Sequence, residues 1–212
     1  MTHNTEVLSA DHDVSLSGQL LLQALHEIVL NGIAVSDTAL ASVDACAKSL
    51  SLAKLKTLKT LKASEKLPGS LTSHLAQALD LAPRINERFE CVLDSLGVIL
   101  PHATWMKREA KPGQENTFVE MHRHAIITGA GGMFECETLT LGMALMAPFT
   151  NYPFHHHPPA EFYLVLSQGE WFREDVGWWS PGSGGLVFNP PSSLHAMRST
   201  DAPLLALWGL IH

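Results

Sequence analysis

A chain of 212 residues, 46% of them hydrophobic, is long enough to bury one sizeable core. A formal net charge of −7 argues against nucleic acid as its main partner. The three cysteines, Cys46, Cys91 and Cys136, are odd in number and show no C-x-x-C spacing, which favours free thiols in a reducing compartment over disulfides or a cysteine zinc site.

The first residues lack a basic segment ahead of an apolar core, and no apolar run is long enough to cross a bilayer. The expectation is therefore a soluble cytoplasmic protein with no membrane partner. Residues 1–100 read as a helical region. Leu20, Leu21, Ala24, Leu25, Ile28 and Val29 recur at three-and-four spacing, which places them on one helical face that stops near Asn31-Gly32. Ser36-Asp37 suits the cap of a second helix beginning near Thr38. Next, Lys54, Lys56, Lys59, Lys62 and Lys66 alternate with Leu52, Leu55, Leu58 and Leu61. A basic amphipathic helix of this kind can lie on an anionic membrane. In this acidic chain it reads instead as an exposed helix with packed leucines and solvated lysines. Pro68-Gly69 breaks the pattern, Ser70 is positioned to cap a short helix through Leu79, and a further helix is expected from Pro83 to Leu96, ending at Gly97.

After Pro101 the periodicity changes, and residues 101–212 read as a β-domain. Strands are expected at His124–Thr128, Thr138–Met146, Glu161–Leu166, Gly185–Phe188 and Leu204–Trp208, punctuated by glycine and proline. Many short strands between turns argue for an antiparallel sandwich or barrel, so the fold class is α+β.

The chemistry concentrates in one stretch. Both tyrosines of the chain, Tyr152 and Tyr163, flank His155, His156, His157 and Glu161, and His195 follows downstream. In an extended segment residues two apart share a side, so His155 and His157 can converge on one ion while His156 points away. Glu161 and Tyr163 are again two apart, and His195 arrives from another strand. Imidazoles and a carboxylate suit one divalent first-row metal, such as Zn, Fe, Mn, Co or Ni. Alone, a His-x-His pair would read as a surface cluster or as satisfied core residues. The full spacing in an all-β region turns the reading to metal. A second pair, His122 and His124, is set aside, because no carboxylate follows at a matching distance and Arg123 makes the locality cationic. The five tryptophans read as core or barrel-rim packing. One near the site would still attract an onium group by about 0.5–2 kcal/mol.

His155-x-His157-x3-Glu161 ending at Gly169, then Gly184-x5-Pro190-x-Ser192-x2-His195, resemble the two motifs of the cupin superfamily, with Ser192 where the second motif usually has glycine. Within cupins, Tyr152-x2-His155-x-His157-Pro158 and Glu161-x-Tyr163 are similar to the bacterial dimethylsulfoniopropionate lyases, most nearly the Q type. The resemblance implies helices ahead of a C-terminal cupin β-barrel and cleavage of a small zwitterion, dimethylsulfoniopropionate, into acrylate and dimethyl sulfide. It implies His157, Glu161 and His195 as ligands, with His155 or a tyrosine in the fourth place. It also implies Tyr163 as the base and Tyr152 as a second tyrosine of the pocket. By analogy with other cupins a homodimer is expected. A cupin dioxygenase using Fe(II) and O₂, or a metal-bound small-molecule sensor, could present the same ligand set.

Overall fold

The structure, a computed structural model, describes residues 2–31, 37–55, 66–114 and 116–212. Four helices come first: α1 (Thr2–Asn31), α2 (Asp37–Leu52), α3 (Gly69–Leu81) and α4 (Glu87–Ile99), the last running into a 3₁₀ turn at Leu100–His102. The stripe read from α1 is largely the buried one. Leu21, Ala24, Leu25 and Val29 are in the core, while Leu20 is exposed and Leu22 takes its place.

Local chemistry explains where the helix ends differ from expectation. Ser70 lies inside α3 and caps nothing. The chain turns in at Pro68, whose carbonyl accepts from Leu71 N–H. α4 starts four residues later than Pro83 suggested, because the Asn86 side chain accepts from the N–H groups of Arg88 and Phe89. Gly97 does not stop that helix. It sits on the exposed side, where a missing side chain costs no packing. The lysine-rich segment is not helical at its described ends, since α2 stops at Leu52 and residues 53–55 and 66–68 are irregular. Leu55 packs against the core and Lys54 is exposed. Lys56, Leu58, Lys59, Leu61 and Lys62 lie outside the described residues, as does Ser36.

The second half forms β1 (Trp105–Met106), a short helix α5 (Thr117–Met121), β2 (His122–Ile126), β3 (Leu139–Met146), β4 (Asn151–His155) and β5 (Ala160–Val165). It continues with β6 (Glu170–Arg173), β7 (Gly177–Trp179), β8 (Leu186–Asn189), β9 (His195–Arg198) and β10 (Leu204–Ile211). All pairings of these strands are antiparallel. They build a six-stranded sheet, β1-β2-β3-β10-β5-β8, and a four-stranded sheet, β4-β9-β6-β7. This is the α+β architecture expected, helices followed by antiparallel sheets. β1, α5, β6 and β7 were not legible in the sequence, being short or lacking clean alternation, and β4 and β9 were read only as extended stretches around the histidines, without bounds.

Strand parity divides the large sheet into two buried faces. Outward, Leu139, Leu141, Met143 and Leu145 of β3, Phe162 and Leu164 of β5, and Leu205 and Leu207 of β10 form one cluster with α1–α4. Inward, Ala144, Met146, Tyr163, Val165, Leu204 and Ala206 meet Tyr152, Trp171 and Met197 of the small sheet. Glycines make room for an aromatic on each face. A Cβ on Gly142 would strike the Trp208 ring from within the barrel, and one on Gly209 would strike Phe162 on the helix side. Arg173 on β6 ties the sheets together. It donates to the Phe188 carbonyl on β8 and pairs with Asp175.

Candidate active site

The inward parity of β5 carries Glu161 and Tyr163 to one side, as their spacing predicts. Both line a cavity of about 150 Å³ together with Tyr152, His155 and His157. His195 enters from β9, which pairs with β4 so that His155 and His195 are register partners. Tyr152 and His155 are three residues apart and would face opposite ways on a regular strand. Between them the register slips by one residue: Tyr152 pairs with Met197, and His155 with His195. This bulge at Pro153-Phe154, a position where proline forfeits little, turns both side chains inward and leaves Phe154 exposed.

One ring nitrogen each of His155, His157 and His195 lies within 4.8 Å of the others. Each ring is fixed at Nδ1 by a backbone carbonyl two residues away: Pro153 at 3.0 Å, Pro159 at 3.0 Å and Ser193 at 2.9 Å respectively. That leaves the three Nε2 atoms to converge. Glu161 Oε2 stands 3.4 Å from His157 Nε2 and 3.1 Å from His195 Nε2, without hydrogen-bond geometry to either. Both of these Nε2 atoms are buried and lack a hydrogen-bond partner among the described residues. Buried polar atoms are rarely left so, and a cation would satisfy them. The donor set, three imidazoles and one carboxylate with carbonyls behind the rings, fits a divalent ion. Glu161 is itself held by Asn189 Nδ2 at 3.0 Å, a support that adjacency to Pro190 did not reveal. His156 is exposed and takes no part.

The turn before His195 explains the serine in the second motif. Ser192 adopts φ 60°, the left-handed conformation that glycine takes most easily, and its N–H donates to the His157 carbonyl at 2.9 Å. The motif's turn is kept at some local strain, and it ties the two ligand segments together.

Electrostatics differ across the cavity. Burial alone would push the Glu161 carboxyl up, but the imidazoles of His157 and His195 hold it down to about 2. The adjacent Glu161 carboxylate raises His157, against burial. Burial, aided by His195, drops His155 to about 3. Burial also lifts Tyr152 to about 12, opposed by Arg108. Tyr163 is pushed well above the ordinary phenol range, by burial first and then by the Glu161 carboxylate beside it.

The wall facing the histidine cluster was not read from the sequence. His122 and His124, set aside as a stray pair, line the same cavity, with Arg108 and Trp208 beside them. Two-residue spacing on β2 was the available signal. The pairing of β2 with β3, opposite Met146 and Ala144, is what turns them inward. Arg123 between them points elsewhere and donates to the carbonyls of Val119 and His122. Burial lowers both His122 and His124, which disfavours their charged forms. His122 packs edge-on to Tyr152 at 4.8 Å between ring centroids, and its Nδ1 is buried without a hydrogen-bond partner. Arg108, on the loop after β1, donates to the Tyr152 hydroxyl, with its guanidinium carbon 5.2 Å from the centre of that ring.

Comparison with known proteins identifies the family. The chain is 30% identical over 131 residues, 62% of its length, to a Cereibacter sphaeroides protein assigned as the dimethylsulfoniopropionate lyase DddL. It is 35% identical over 82 residues, 38% of its length, to the dimethylsulfoniopropionate lyase DddQ of Ruegeria pomeroyi. These matches span 54% and 41% of the two relatives' own lengths. The crystal structure of DddQ from Ruegeria pomeroyi shares the fold, with a TM-score of 0.59 at 21% identity over 91% of both chains. Crystal structures of the lyases RdDddP and RnDddQII include a chain with a TM-score of 0.66 at 18% identity, over 94% of both chains. The family model of dimethylsulfoniopropionate lyases matches residues 42–206, from α2 through most of the barrel. The chain belongs to the dimethylsulfoniopropionate lyase family.

Proposed function

We propose that this protein is a lyase that cleaves dimethylsulfoniopropionate into acrylate and dimethyl sulfide by β-elimination, with Tyr163 as the base. One observation carries the reading. In a chain of this family, both tyrosines line one small cavity with His155, His157 and Glu161, and His195 completes the cluster. The cavity volume, about 150 Å³, suits a small organic substrate and excludes a macromolecular one.

His155, His157, Glu161 and His195 would hold one divalent ion. Such an ion supplies Lewis-acid stabilisation of negative charge and favours a nearby phenolate over the phenol. Tyr163 takes the Cα proton. The electrons of that C–H bond form the Cα–Cβ double bond, and the Cβ–S bond breaks with its pair on sulfur. Dimethyl sulfide leaves neutral, so no general acid is needed at that end. Tyr152 orients the substrate, and Asn189 keeps Glu161 in place. Trp208 and the phenol rings offer apolar faces to the sulfonium.

The test is release of dimethyl sulfide into the headspace by purified protein given dimethylsulfoniopropionate, before and after chelation. Metal-dependent release without oxygen is expected. Absence of release from metal-replete protein would overturn the lyase reading, and a strict need for O₂ would point to oxygenase chemistry.

A further inference from the structure

The cavity has one wall with a built-in cation that no step above uses. Arg108 lies half-buried on the loop after β1 and borders the cavity beside Tyr152. Its guanidinium makes no ion pair with any carboxylate among the described residues. Its described partner is the Tyr152 hydroxyl, which engages Nη1. A guanidinium presents five N–H donors in a planar fork, so most of its donors remain to be satisfied. Among the described residues Glu161 is the single carboxylate lining this cavity, and it faces the imidazoles of His157 and His195. On the Arg108 side the other lining groups are His122, His124 and Trp208, and burial disfavours the charged form of the two imidazoles. Arg108 is therefore the fixed positive charge of that wall. An arginine fork without an acidic partner, at the edge of a small cavity, is built for a planar anion.

We propose that Arg108, with the Tyr152 hydroxyl beside it, forms a carboxylate-binding subsite that fixes the acid end of a small substrate. The three-carbon acid assigned to that subsite rests on the lyase reading above. Under that reading Arg108 sets which end of the zwitterion enters first and rejects analogues with an uncharged end. Tyr152 then has a defined task. Its phenol accepts from Arg108 and keeps its own O–H free to donate to the same carboxylate, which makes it a specificity residue and leaves the proton transfer to Tyr163.

The experiment is direct titration of metal-replete protein with propionate, acrylate and propionamide, on the wild type and on Arg108→Lys, Arg108→Gln and Tyr152→Phe at equal metal content. Wild type should bind the two acids and discriminate against the amide. Arg108→Gln should weaken the acids by about 10- to 100-fold, the usual worth of hydrogen bonds to a charged group, with little change for the amide. Arg108→Lys should recover part of the loss, because it keeps the charge without the fork. The loss in Arg108→Gln should persist when Tyr152 is also phenylalanine. Equal binding of acids by wild type and Arg108→Gln would overturn the proposal. So would a loss that vanishes in the Tyr152→Phe background, since Arg108 would then only position the tyrosine. Because titration needs no turnover, these outcomes stand apart from the dimethyl sulfide assay. Acid binding without gas release would sink the lyase reading and leave the subsite.

Discussion

The two faces of the six-stranded sheet use the same strands for opposite purposes. On β5, Phe162 and Leu164 point to the helices and are fully buried among apolar side chains, while Glu161 and Tyr163, one residue away from them, point into the cavity. β10 divides in the same manner, with Leu205 and Leu207 outward and Trp208 and Leu210 toward the cavity. β2 sends Ala125 to the core and His122 and His124 inward. The outer face gains stability from apolar burial, which is non-directional and tolerant of detail. The inner face leaves buried polar atoms without partners, an arrangement that costs stability and belongs to binding and catalysis. A strand placed between two apolar layers can carry a strained, polar site because its other face anchors it.

The harshest way to break this comparison is to uncover the outer face. We propose that residues 1–100 are a cover integral to the barrel and not an independent domain, since the sheet's outer residues share one cluster with α1–α4. A fragment beginning at Pro101 should be insoluble or inactive, as judged by size-exclusion chromatography and gas release. A well-folded, fully active fragment would refute the idea.

Substitutions at neighbouring positions then separate the faces. Glu161→Ala and His195→Ala should strip the metal and abolish turnover, read by elemental analysis of the folded protein. Full metal retention in both would remove the site assignment. Phe162→Ala, one residue from Glu161, should instead lower the unfolding free energy by about 3–5 kcal/mol while the folded fraction keeps its metal. Urea melts with metal analysis of the same samples compare the two outcomes.

Tyr163→Phe sharpens the inner face, since it deletes one oxygen and little volume. Fold and metal content should survive while kcat falls by about 10²–10⁴, the usual worth of a general base. Tyr152→Phe should cost less, and mainly through KM. Normal kcat in Tyr163→Phe with collapse in Tyr152→Phe would exchange their roles.

The smallest effect concerns pH. In the folded protein His122 and His124 titrate below their ordinary value of 6.5. As pH falls through 6.5 the unfolded chain takes up protons that the folded chain refuses, so their contribution to stability is present above 6.5 and declines below it. Each histidine adds a slope of up to about 1.4 kcal/mol per pH unit in that window. His122→Gln should flatten the stability profile between neutral and mildly acidic pH. Parallel profiles for the two proteins would contradict the buried neutral state.

The sequence by itself determined the parts of this protein that depend on local spacing. His-x-His and Glu-x-Tyr place side chains by the alternation of an extended chain, which needs no knowledge of neighbouring strands, and the Gly-to-His segment is marked as a turn by its own residues. The α1 stripe was legible for the same reason, because helical periodicity survives whatever the helix packs against. Tertiary structure decided everything that depends on which strands pair. Arg108, His122 and His124 join the cavity through pairings of β1, β2 and β3 more than forty residues from the tyrosines in some cases, and Asn189 reaches Glu161 because β5 pairs with β8. Tyr152 faces inward against its expected parity because one extra residue at Pro153-Phe154 is absorbed as a bulge opposite β9. A bulge reverses the alternation from which a sequence is read, and only the partner strand reveals that it is there.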